Sequence, residues 1–384
     1  MAQVADVALP APLSLGERDR RYARLRADLN ERGVDATIAF GSDLFYLTNG
    51  LPGERVGLLP TADEPLTAVL NGRHLADVPA SVLVEAQEWV QDIRGGNDLT
   101  PLIDRIRELR LDKGTLGLAN KDTPLGAYQQ LQRALPDVRL VDVSDIFGNT
   151  RTLKSDEEVA LIEQANRAFD AGIQRLYEHA RPGMTGEEAV QHAIQGMWSA
   201  RGDLDSSIGF TFGRVPKQNP VLATLCLSRR IAWGDIGTLT AHAHHAGYGG
   251  HSDQEISFGE PSALHREMFQ AVLQVREAVL ARVKPGATQQ ELIETYQAAT
   301  QATGFRPSPH SQIHQYGIDV PEFPGPAFGT RANFTLASGM IYSISPTIVA
   351  PNGDDTLLGG TSLVVTDSGY RELGDREVEL LVVA

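Results

Sequence analysis

Cysteine is almost missing from this chain. Its 384 residues include a single one, Cys226, so no disulfide can form within the chain and a cysteine-based zinc site is excluded. Cys226 lies in the apolar run VLATLCLS, which points to a buried, inert thiol rather than a nucleophile. Long apolar runs are missing too: none approaches the roughly 18 residues that a membrane helix requires. Basic charge is scarce. Lys and Arg number 34 against 49 Asp and Glu, and the formal net charge is -15. That balance argues against a nucleic-acid backbone or an anionic membrane surface as partner, since both demand a basic face. The start of the chain has no basic head followed by an apolar core. Residues 1–17 are therefore expected as a disordered lead-in rather than a signal peptide, and the expected location is cytoplasmic.

What is present is a globular composition, 42 % hydrophobic and 22 % charged, long enough for two domains with cores of their own. Arg18 to Gly33 has apolar residues at helical spacing and stops at a glycine. DATIAFGS, LTAVLNG, GTLGLAN and VRLVDVSD read as strands, with a helix over Leu99 to Leu109. Phe45, Tyr46 and Arg55 fall in what reads as a loop region of this first domain, residues 18–150. The next domain, residues 151–384, opens on a capping box in which Ser155 precedes Glu158 by three residues and starts a long helix.

The second domain repeats itself. Arg181-Pro182-Gly183-Met184-Thr185 is echoed by Lys284-Pro285-Gly286-Ala287-Thr288, and Thr185/Glu188 and Thr288/Glu291 repeat the capping box. Each echo joins two helices and is followed by strand-like segments. IGFTFGR, VLATLCLS and a hairpin over Trp233–Pro261 follow the first; GIDV, MIYSISPTIVA and TSLVVTD follow the second. Two helix pairs with two half-sheets imply pseudo-twofold symmetry, with a site between the halves. The fold class expected is α/β (α+β).

The segments LKSDEEVALIEQANRA, RPGMTGEEA, WGD, GY then FGEPS, KPGATQQEL, IHQYGIDVPEFP, LASGMIYSISP and LVVTDSGY occur in this order. On these residues the second domain resembles the pita-bread fold of aminopeptidase P, prolidase, methionine aminopeptidase and creatinase. The first resembles the creatinase-type N-terminal domain. The resemblance implies a homodimer. It also implies, in metal-dependent members, two metal ions held by two aspartates, a histidine and two glutamates. Carried over residue by residue, these ligands fall on Thr240, His251, His314, Ser345 and Gly360, and a second motif histidine falls on Pro321. Only His314 keeps its type, and no carboxylate remains to neutralise two divalent ions. No metal and no other cofactor is therefore expected. Creatinase, which resembles this chain in lacking metals, has an acid two positions beyond the second lost aspartate, where Asp253 stands here. Its catalytic histidine precedes an Asn-Pro pair, where this chain has Gln218.

The candidate catalytic residues are His251 and His314, imidazoles suited to proton transfer near neutral pH. Asp253 is the candidate for a cationic group of a substrate, with Glu255 on the same strand face. Thr240 and Ser345 are candidates for orienting polar atoms, and Gln218 and His310 for lining the substrate site. A serine nucleophile at Ser345 requires His314 as its base. His242, His244 and His245 raise the alternative of a histidine metal site with His251 and His314. The leading expectation is a metal-independent, creatinase-like hydrolase of a C–N bond in a small amino-acid-like, imino or guanidino compound. The alternatives are a silent prolidase or Xaa-Pro aminopeptidase homologue that binds a peptide or protein partner, and an Xaa-Pro peptidase with an unorthodox histidine metal site. The expected partners are a small substrate or short peptide, with neither nucleic acid nor membrane.

Overall fold

The computed structural model describes residues 13–51, 53–72, 88–119, 122–203, 206–212, 227–308, 312–319, 322, 335–351, 353 and 355–384. Cys226, Gln218, His310 and Pro321 lie outside the described residues. The chain divides into two units between Thr152 and Leu153, two residues past the boundary expected from the capping box.

In the first unit a six-stranded sheet runs β4 (Asp92–Gly96), β3 (Thr67–Asn71), β2 (Glu54–Pro60), β1 (Ala36–Ala39), β5 (Thr115–Leu118), β6 (Arg139–Asp142). The sheet is mixed: β1 pairs antiparallel with β2 and parallel with β5. Ala36, Ile38, Leu58, Val69 and Leu116 supply its core, with Leu102 and Ile106 from the helix Thr100–Glu108. The first helix begins at Leu15, three residues before the expected start, because Ser14 accepts a hydrogen bond from the Glu17 amide. Residues 13–17 of the expected lead-in are thus ordered, and Glu17 is buried against Arg20 and Arg21 at 2.7 Å each. A second correction concerns Phe45 and Tyr46. They sit in a helix, Gly41–Thr48, not a loop, and Tyr46 is fully buried under Arg21, whose guanidinium lies 4.1 Å from the ring centre. The apolar run Leu44-Phe45-Tyr46-Leu47 needs that burial, and Asn49 in the left-handed region (φ 58°) ends the helix.

In the second unit both echoed capping boxes form, as does the one at Ser155. The helices Asp156–His179 and Gly186–Ser199 pack closely. A Cβ on Gly196 would lie 2.5 Å from the Ala171 carbonyl oxygen, so only glycine fits there. One four-stranded sheet runs β17 (Leu381–Val383), β9 (Tyr248–Phe258), β8 (Ile236–His245), β7 (Ser207–Phe212). The other runs β11 (Gln312–Gln315), β12 (Ile341–Ser345), β15 (Thr361–Val365), β16 (Tyr370–Leu373). A three-stranded sheet of β10 (Arg306–Pro307), β13 (Thr347–Val349) and β14 (Thr356–Leu358) completes the unit. Each large sheet turns one face to its helices. Ile256 and Phe258 of β9 join Phe169 and Met197 in one core; Ile313, Tyr342, Ile344 and Leu363 join Val275, Leu292 and Tyr296 in the other. This is the expected duplication of helix pair and half-sheet.

Two strand expectations shift. Residues 317–319 of GIDV bend instead of continuing a strand: the Gly317 amide bonds the Asp319 carbonyl, and the Gly317 carbonyl takes the Gly249 amide; Val320 lies outside the described residues. The strand falls just before it, at Gln312–Gln315. MIYSISPTIVA is broken into β12 and β13 at Pro346, which has no amide for the ladder. No helix among the described residues is long and apolar enough to cross a membrane.

Candidate functional site

The site is organised by the β8–β9 hairpin. Its turn residues Ala246 (φ 51°) and Gly247 (φ 78°) both take positive φ, as a type I′ turn demands, and pair His245 with Tyr248. That fixes every later pair: His242 opposite His251, Thr240 opposite Asp253, Thr238 opposite Glu255. All eleven residues of β9 are buried. With Ile256 and Phe258 committed to the helix side, His251, Asp253 and Glu255 share the other face, as their alternation predicts. There they meet the second half of the unit.

Asp253 is 1 % exposed and held from both sides. The Thr240 hydroxyl donates to Oδ1 at 2.6 Å, and the Ser345 hydroxyl donates to Oδ2 at 2.5 Å. Burial raises the Asp253 pKa above the ordinary carboxylate range; the Ser345 and Thr240 hydrogen bonds and the Arg376 charge pull the other way. Glu255 accepts from the Thr238 hydroxyl at 2.8 Å and from the Leu358 amide at 3.1 Å. Gly360 closes the cage. A Cβ there would lie 2.8 Å from Asp253 Oδ2 and 2.9 Å from the Asp253 amide nitrogen, and would also press on the Ser345 hydroxyl.

Three imidazoles form the rest. The ring of His251 lies 4.6 Å from His242, edge to face, and 5.0 Å from His314. The Tyr316 ring stands 6.5 Å from that of His251, edge to face. His251 is 1 % exposed, and neither of its ring nitrogens has a hydrogen-bond partner among the described residues. Burial, and then the neighbouring His314 and His242, hold its pKa well below the usual imidazole range. Burial likewise lowers His242 to about 4, with His314 and His244 adding to the shift. His314 is lowered by burial against an opposing hydrogen bond from Nδ1 to the Gln315 carbonyl at 3.0 Å. A carbonyl only accepts, so Nδ1 carries the proton and Nε2 the lone pair.

The structure therefore brings together His251, His314, Asp253, Thr240 and Ser345, five of the residues singled out in the sequence. His242 joins them as a ring neighbour of His251. No group of three or more His, Cys, Asp or Glu side chains among the described residues is arranged to hold a metal ion. The fit to a dinuclear centre fails on its donors. Thr240 and Ser345 spend their hydroxyls on Asp253, and Gly360 has no room for a side chain. What sequence reasoning missed is that Thr240 pairs with Asp253, although the two-residue turn carried that register.

The chain belongs to the metallopeptidase family M24, which it matches over residues 160–371, and residues 21–152 match the creatinase/prolidase N-terminal domain. It is thus a creatinase/prolidase-family hydrolase with a creatinase-like first domain and a pita-bread second domain. A creatinase from Bacillus sp. (strain B-0618) is 28 % identical, over 93 % of this chain and 90 % of that protein. An Xaa-Pro dipeptidase of Lactobacillus delbrueckii subsp. lactis is 24 % identical, over 94 % of this chain and 98 % of that protein. Among solved structures, an Xaa-Pro dipeptidase from Bacillus anthracis superposes with a TM-score of 0.81 at 22 % identity, covering 95 % of this chain and 99 % of its own.

Proposed function

We propose that this protein hydrolyses a C–N bond in a small amino-acid-like, imino or guanidino compound without a metal ion. The observation that carries the reading is the state of His314. Its Nδ1–H is tied to the Gln315 carbonyl, which fixes the ring's orientation and tautomer 5.0 Å from the ring of the buried His251. In this reading His314 takes a proton during attack. His251, a neutral ring with both nitrogens available for bonding, holds a polar atom of the substrate, and the proton taken up by His314 passes on to the leaving nitrogen. Thr240 and Ser345 orient Asp253, and the second lone pairs of the Asp253 carboxyl meet N–H groups of the substrate. Gln218 and His310 are proposed to line the substrate site. A homodimer is proposed on the family resemblance alone, and a cytoplasmic location is proposed with it.

A panel of imino dipeptides, N-acyl amino acids and guanidino acids, followed by amine or urea release, tests this directly. Turnover of one class by the wild type, lost in both His314→Gln and His251→Gln while their melting curves stay cooperative, supports it. Turnover that survives both substitutions removes the histidines from the mechanism.

A further inference from the structure

Lys154 and Glu322 form an ion pair that the function as stated leaves unused. Nζ of one bonds Oε2 of the other, and their side chains are only 2 % and 4 % exposed. Two charges taken out of water lose more hydration than their attraction readily returns, and an apolar pair of similar volume is often as stable. Stability alone therefore does not account for a lysine and a glutamate here. What the pair is attached to does. Lys154 is anchored by its own backbone, whose amide bonds the Gly339 carbonyl at 3.0 Å. Glu322 is anchored to β11, where its amide donates to the Gln315 carbonyl at 2.8 Å. That carbonyl is the one that takes the Nδ1–H of His314 at 3.0 Å. Gly317 closes tightly on the pair: a Cβ there would meet Lys154 Cε at 2.8 Å and Nζ at 2.9 Å. The Gly317 carbonyl in turn takes the amide of Gly249, two residues before His251 on β9.

A carbonyl oxygen has two lone pairs, so Gln315 serves the Glu322 amide and the His314 ring at once. The tautomer and direction of an imidazole are set by the bond that its other nitrogen makes, and a group of that kind is only as well placed as its support. We propose that Lys154 and Glu322 are positioning residues of the site. Their buried ion pair fixes the Gln315 carbonyl, and through it the orientation and tautomer of His314, while Gly317 ties the same bend to the strand that carries His251. The catalytic consequence rests on the hydrolytic reading, in which His314 takes a proton. Without the pair, Glu322 is free to shift, and the carbonyl and the ring shift with it. A misplacement of about 1 Å in a reacting group costs about a hundredfold in rate.

The test uses the intact chain with isotope-labelled histidine and nitrogen NMR, which separates a protonated ring nitrogen from a bare one. His314→Gln identifies the His314 signals. Near neutral pH the wild type should carry the His314 proton on Nδ1 alone. The apolar pair Lys154→Met with Glu322→Leu should melt as cooperatively as the wild type and no earlier. Its His314 signals should nevertheless average between the two tautomers, and kcat should fall about a hundredfold with KM little changed. Glu322→Gln keeps the size and the backbone amide, and should show the same change in smaller measure. A wild-type proton on Nε2, or a single Nδ1–H tautomer kept in the folded apolar pair, overturns the assignment. Should the apolar pair fail to fold, Glu322→Gln decides: averaged His314 signals uphold the assignment and unchanged ones overturn it. The two ideas part cleanly. Averaged tautomers without turnover of any C–N substrate keep the positioning role and sink the hydrolytic reading; full turnover by the folded apolar pair does the reverse.

Discussion

Thr240 and Asp253 stand opposite each other in the β8–β9 hairpin, and the hydroxyl of one donates to the carboxyl of the other at 2.6 Å. Thr240 is where the family resemblance places a metal-binding aspartate, so a hydroxyl that serves a neighbouring acid has taken the place of a ligand. Replacing Thr240 by Val keeps the shape and removes the donor. The expected loss is about 1–3 kcal/mol of unfolding free energy in urea, the cost of leaving a buried acceptor short of a partner. Thr240→Ser should recover most of it.

The Asp253 carboxyl gives a pH signature of its own. Its pKa is raised in the folded state, chiefly by burial, so the folded protein holds this proton more tightly than the unfolded chain does. Its contribution to stability is full below the ordinary carboxylate pKa of about 3.9 and fades as pH rises through the folded value. Asp253→Asn should flatten that part of the stability profile. A slope unchanged in the variant would show that another group causes it.

The imidazoles act in the opposite sense. His251, His242 and His314 all have lowered folded pKa values, with burial the first cause for each and the value for His242 about 4. Below about pH 6.5 the unfolded chain binds protons that these rings refuse, so stability falls as pH drops from there through the folded values. Thermal midpoints of the wild type and of His251→Gln between pH 7.5 and pH 5 should converge as the pH falls. Parallel curves would mean that His251 stays uncharged in both states or charged in both.

Gly360→Ala should be costly although it adds one methyl. The new Cβ would meet Asp253 Oδ2 at 2.8 Å and the Asp253 amide nitrogen at 2.9 Å, and the second of these is backbone and cannot swing away. A loss of about 1–3 kcal/mol is expected, as for overpacking in a closed core. Adding Ser345→Ala should relieve only part of it, because the amide contact persists. Full recovery in the double variant would place the clash on the serine alone.

Much of this was legible in the sequence. Three capping boxes, the duplicated Pro-Gly-x-Thr breaks and the tyrosine-anchored hairpin were enough to lay out the helices, the half-sheets and the strand that carries His251. Local signals of that kind survive because caps and two-residue turns are set by neighbours in sequence. The misjudged elements depend on partners far along the chain. Gly41–Thr48 is helical because Tyr46 has Arg21 to bury it, and the chain bends at residues 317–319 where Gly249 reaches Gly317. In the site, alternation alone put His251, Asp253 and Glu255 on one face. That Ser345 serves Asp253, or that Ser343 lies opposite His314, follows from strand pairings spanning about 30 or more residues, which no local pattern encodes.

In the proposed chemistry this site works with its own side chains and without divalent ions. Elemental analysis of the purified protein, paired with turnover before and after exhaustive chelation, tests it most directly. Well under one equivalent of any transition metal per chain is expected, with an unchanged rate after chelation. Stoichiometric metal, with activity lost on chelation and restored by manganese, cobalt or zinc, would contradict it.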